Sequence, residues 1–97
     1  MAASFTISNA VRLGGQLPGM IMLLGTVDLD TDTSVDIYDN AYGARKILSY
    51  SFTNSANENA FKVVKAYDAS NDGDKLTLTG TAGDTFDFMI MAEDNGE

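Results

Sequence analysis

The chain has no cysteine, no histidine and no tryptophan, and only one proline among its 97 residues. Without cysteine there is no disulfide framework and no thiol nucleophile. Without histidine, neither a Ser-His-Asp triad nor an ordinary zinc site can be assembled from one copy. Basic residues are scarce as well: six, against fourteen acids, give a formal net charge of −8. Arg12, Arg45, Lys46, Lys62, Lys65 and Lys75 form no stripe and have no aromatic platform between them. A nucleic-acid partner is therefore not expected, because binding a phosphate backbone depends on clustered cations. The same charge disfavours an anionic membrane surface. The longest apolar run, Met20–Leu24, is far short of the roughly 20 residues a spanning helix needs. Residues 1–8 carry no basic segment followed by an apolar one, so they do not read as a secretory signal, and synthesis in a cytoplasm is expected.

What is present points to short strands and polar turns. Apolar residues make up 44% of the chain, enough for a single core of modest size. Most of the acids are aspartate, which favours turns because its carboxylate caps nearby backbone N–H groups. Apolar residues alternate with polar ones over 5–13, 34–38, 45–53, 75–79 and 85–88; residues 20–30 open as an apolar run and settle into alternation, and the mixed segment 60–67 reads as a strand. In the first of these, Phe5, Ile7, Val11 and Leu13 share a parity that Asn9 interrupts. Turn signals separate the segments, including Thr31-Asp32-Thr33, Asp39–Gly43, Asn54–Asn59, Asp72-Gly73 and Gly80–Asp84. Residues 26–38 read as a hairpin, and Asp72-Gly73 marks another. The expected fold is all-β: an antiparallel β-sandwich or small jelly-roll or barrel of about seven short strands. One domain spans 1–97, with a possible N-terminal arm and bend at 1–19, a β core at 20–92 and a polar tail at 93–97.

Three features are candidates for chemistry. Asp28, Asp30, Asp32, Asp36 and Asp39 fall near the spacing of a calcium loop, with Ser34 between them. Thr33 occupies the position where such a loop needs glycine, and the flanks alternate like strands. These acids read mainly as the solvent face of two strands, with a weak cation site as the lesser alternative. Asp68, Asp72 and Asp74 read as turn residues. Carboxylate pairs can serve glycoside hydrolysis, but a small sandwich offers little cleft to desolvate one, so no enzyme activity and no cofactor are expected. The third feature is methionine. Met20 and Met22 lie opposite Ile21 and Leu23 in parity, and Met89 and Met91 lie opposite Phe88 and Ile90. Both segments are apolar on two faces, whereas a strand with one face in water alternates. The second face is either filled by the chain itself or covered by another.

The bend Gly14-Gly15-Gln-Leu-Pro18-Gly19, the segment Gly25-Thr-Val-Asp-Leu-Asp30 and the closing run Leu76–Asp94 resemble those of small, acidic, β-rich head decoration (cement) proteins of tailed bacteriophages. The likeness is one of composition and style across most of the chain. It implies a virion structural protein on the outer capsid surface that binds the major capsid protein and bridges its subunits, commonly as a homo-trimer. In that setting the contact residues are expected to be Phe5, Ile7, Met20, Met22, Met89 and Met91, with the N-terminal segment available as an added strand. The competing expectations are another virion role, such as a tail, fibre or head-completion component, and a calcium-dependent or carbohydrate-binding module.

Overall fold

The computed structural model describes residues 2–13, 19–39 and 41–94. Seven strands follow one another: β1 (Ser4–Leu13), β2 (Met20–Asp28), β3 (Ser34–Ile37), β4 (Ala44–Asn54), β5 (Lys62–Asp68), β6 (Gly73–Thr79) and β7 (Thr85–Asp94). They form two antiparallel sheets, one of four strands in the order β1-β2-β7-β4 and one of three in the order β3-β6-β5. The fold is a small β-sandwich.

The core lies between the sheets. Ile21, Leu23 and Val27 of β2 and Phe86, Phe88, Ile90 and Ala92 of β7 face Ile37, Leu76 and Leu78 of the other sheet. Leu29, Ala44 and Ile47 complete the buried set. Burying each large side chain contributes about 1.5–3 kcal/mol. Phe61 stacks edge-on to Phe86 at 4.9 Å, and Phe52 leans on Phe88 at 5.5 Å. Gly25 makes one close approach possible: a Cβ there would stand 2.1 Å from the Thr6 carbonyl and 2.5 Å from the Phe88 ring.

Residues 26–38 do not form the expected hairpin. Asp28 ends β2 in one sheet and Ser34 begins β3 in the other, so the connection crosses between layers. Leu29 drives this crossing: its side chain is fully buried, and its N–H donates to the Asp84 carbonyl. Asp30 takes a positive φ of 53°, and the Asp28 carboxylate accepts its N–H. The Asp72-Gly73 hairpin joins β5 to β6, with Asp72 at a φ of 50°. Within the N-terminal segment, residues 4–13 form β1, paired along its length with β2. Residues 14–18 of the expected bend lie outside the described residues, as do 95–97 of the expected tail, whose first two residues belong to β7.

Three register shifts interrupt the four-stranded sheet, one in β1 and two in β4, the first of the latter between Ala44 and Lys46. In β1 the register shifts between Ile7 and Asn9. Phe5 and Ile7 point inward and pack on the core, as does Ala10, whereas Val11 is 37% exposed. In β4 the register shifts between Ile47 and Ser49, which leaves Leu48 as the extra residue, 45% exposed.

Candidate interaction surface

The outer face of the four-stranded sheet can be read row by row from its register. Leu13, Met20 and Glu93 form one row with Lys46. Val11, Met22, Met91 and Ser49 form the next, and Asn9, Leu24, Met89 and Ser51 the third. Beyond these the face turns polar, with Thr6, Thr26, Asp87 and Thr53, then Ser4, Asp28 and Thr85. Half of the face is thus apolar. Its only charges are Lys46 and Glu93 at the rim, which pair at 3.7 Å. With strands about 4.8 Å apart and same-face residues about 6.8 Å apart, the apolar positions of these rows cover roughly 200–250 Å².

The face exists because β2 and β7 are the central strands of their sheet and are apolar at both parities. Met20, Met22, Met89 and Met91 all lie on it, as their parity implies. Phe5 and Ile7 do not: the β1 bulge lies beyond them, so they keep the core parity and pack between the sheets. The same bulge carries Val11 and Leu13 over to the outer face. The interruption at Asn9 was the visible signal of that switch. Leu24 belongs to the face as well; its parity with Met20 and Met22 already indicated this.

The acidic run does not converge. Asp28 caps Asp30, and the Asp32 carboxylate accepts the Ala3 N–H at 2.8 Å. Asp36 accepts from the Thr77 hydroxyl at 2.8 Å and faces Lys75 at 3.5 Å. Asp39 is buried, where it accepts the N–H groups of Ala41, Tyr42 and Ala44. Among the described residues, no three acids gather as a metal-holding group. Asp68 caps Ser70, Asp72 accepts from the Tyr67 hydroxyl, and Asp74 accepts the Ile47 N–H across the two sheets.

A polar cluster at one end of the sandwich was read from sequence only as a loop. The buried Asp84 carboxylate accepts amide hydrogens from Asn57 at 2.7 Å, from Asn54 at 3.0 Å and from Asn59 at 3.3 Å. The Asn57 amide is the main cause that holds this carboxyl below its ordinary value; burial opposes it, and Asn54 and Asn59 add to it. These bonds tie the β4–β5 connection to the β6–β7 turn. Asparagine recurring at 54, 57 and 59 was the signal for it. Its oxygens and amides are spent on one another, which makes it a structural staple.

A cavity of ≈ 10 Å³ lies between the sheets beside Ile7, Leu23, Ile37, Ile47 and Ile90. A small-molecule site needs on the order of 300 Å³. No family model, curated protein or solved structure matches this chain.

Proposed function

We propose that the chain is a virion structural protein, a decoration or cement protein on the outer surface of a tailed-phage head. In this reading it binds the major capsid protein, bridges neighbouring subunits as a homo-oligomer, and performs no catalytic step. The observation that carries the reading is the apolar, charge-neutral half of the outer sheet face in a chain of net charge −8. It supports adhesion by shape and apolar contact. At roughly 200–250 Å² the patch is well below the ~800 Å² per partner of a standard stable interface. One copy alone would hold weakly; several copies joined on a repeating lattice would sum their contacts into firm attachment.

The test is co-sedimentation with purified phage heads. Met89→Asp combined with Met91→Asp is expected to abolish attachment and leave the β circular-dichroism spectrum intact, while Val64→Asp on the other sheet leaves attachment unchanged. Wild-type chain that stays in the supernatant at saturating head concentration overturns the assignment. Decoration of tails alone points to another virion component.

A further inference from the structure

The sandwich keeps its sulfur on the outside. The chain has five methionines and no cysteine. The buried core is built of isoleucine, leucine, valine, phenylalanine and alanine, with no methionine in it or among the side chains packed on it. Methionine is an adaptable filler of core gaps, so a core that uses none while four gather elsewhere has segregated its thioethers. Met20, Met22, Met89 and Met91 all stand on the outer face of β2 and β7, and Met1 is outside the described residues. Met22 lies directly opposite Met91, with about 5 Å between Cβ atoms; Met20 is diagonal to Met91 and Met89 diagonal to Met22, at roughly 7–8 Å. The four thioethers thus run as one zigzag across two strands.

Met89 is 40% exposed, and Met20, Met22 and Met91 are half-buried. From this we propose that the methionine face is a reversible oxidation site, at which a peroxide turns the apolar surface polar and cancels its contacts without unfolding the domain. In each step the sulfur lone pair attacks one oxygen of hydrogen peroxide. An S–O bond forms, the O–O bond breaks, the sulfur gives up two electrons, and the other oxygen leaves as water. The consequence for attachment rests on the reading of this face as the contact surface; the chemistry at the sulfurs does not. A sulfoxide oxygen is a strong acceptor, and water satisfies it while the face is free. Of its neighbours on the face, Val11, Leu13 and Leu24 carry no donor, and the hydroxyls of Ser49 and Ser51 lie only on the β4 flank. Contact with a partner strips the water away and leaves polar groups buried without partners, which is costly. Folding is spared because the core holds no sulfur. A dithiol reverses the change: its two thiols close to a disulfide while the sulfoxide oxygen leaves as water.

Peroxide titration of the folded chain tests this, read by peptide mass mapping, urea midpoint and retention on a phenyl column. Oxygen should enter at Met89 first and at Met20, Met22 and Met91 after it. Retention should fall as sulfoxides accumulate while the urea midpoint holds. Both methionine sulfoxide reductases, one per sulfoxide epimer, supplied with dithiothreitol should restore it. Met20→Leu, Met22→Leu, Met89→Leu and Met91→Leu combined keep the face apolar without sulfur, because leucine and methionine exchange at nearly constant volume. Retention of that variant should not change with peroxide. Undiminished retention of fully oxidised wild-type chain, an equal loss in the leucine variant, or unfolding on oxidation overturns the proposal. So does protection of all four methionines until urea unfolds the chain. In co-sedimentation with heads, oxidised wild-type chain should lose attachment and the peroxide-treated leucine variant keep it. Heads that never bind untreated chain remove the capsid reading alone, and the column result then decides the oxidation site.

Discussion

The two sheets have inner faces of the same kind and outer faces of opposite kinds. Outside the three-stranded sheet, Ser34, Thr79 and Lys62 form one row and Asp36, Thr77 and Val64 the next; Lys75 lies beside Ala66. Polar groups there satisfy one another, as the Thr77 hydroxyl does with Asp36. Outside the four-stranded sheet, leucine, valine and methionine take seven of the twelve positions over three rows, and β4 contributes only Lys46, Ser49 and Ser51 there. Water tolerates the first arrangement and gains nothing from the second. The difference singles out the outer face of the four-stranded sheet as the surface on which the proposed attachment rests.

That contrast can be broken from the inside first. Gly25→Ala puts a methyl group into the Thr6 carbonyl and the Phe88 ring, and backbone cannot yield as a flexible side chain does. A loss of about 3 kcal/mol or more is expected, at the upper end of overpacking costs, read as the shift in urea midpoint. Neighbouring residues then sharpen the comparison. Phe88 is buried and Met89, next to it on the same strand, is 40% exposed. Phe88→Ala should cost about 3–5 kcal/mol. Met89→Ser should cost less than about 1 kcal/mol, as surface changes do, even while it weakens attachment. Equal losses at the two positions would show that the methionine face is packed in the free protein.

The smallest effect concerns pH. The carboxyl of Asp84 is held below its ordinary value of 3.8, chiefly by the Asn57 amide. Its contribution to stability is therefore present above that value and lost as pH falls through the lower folded-state value. A melting-temperature series between pH 5 and 2 should show a decline that is shallower in Asp84→Asn, and also shallower in Asn57→Ala. Parallel curves for all three proteins would remove the staple from the account. Neither substitution touches the outer faces, so attachment at neutral pH should be unchanged.

How much was legible before the fold was known differs from strand to strand. The strands β2 and β7 were legible as segments apolar at both parities, which left open whether the second face is filled by the chain itself or lies outside; the register places it outside. The β5–β6 hairpin was legible because Asp72-Gly73 supplies the positive φ the turn requires. The placement of Val11 was not, since one bulge residue inverts every side chain after it, and a bulge is defined only against a partner strand. The β2–β3 connection was misread for a related reason. Short polar turns look alike whether they join partners in one sheet or cross between two, and the buried Leu29 decides which.

Composition and period alone determined that the chain is all-β, acidic, without cysteine or histidine chemistry, and apolar on both faces of two strands. Those are properties of residue type and spacing along the chain, which folding cannot alter. Only the tertiary structure decided which strands share a sheet, and that Phe5 and Ile7 face the core while Val11 and Leu13 join the methionines. Those depend on register and layer, set by which apolar surfaces bury one another across long sequence separations.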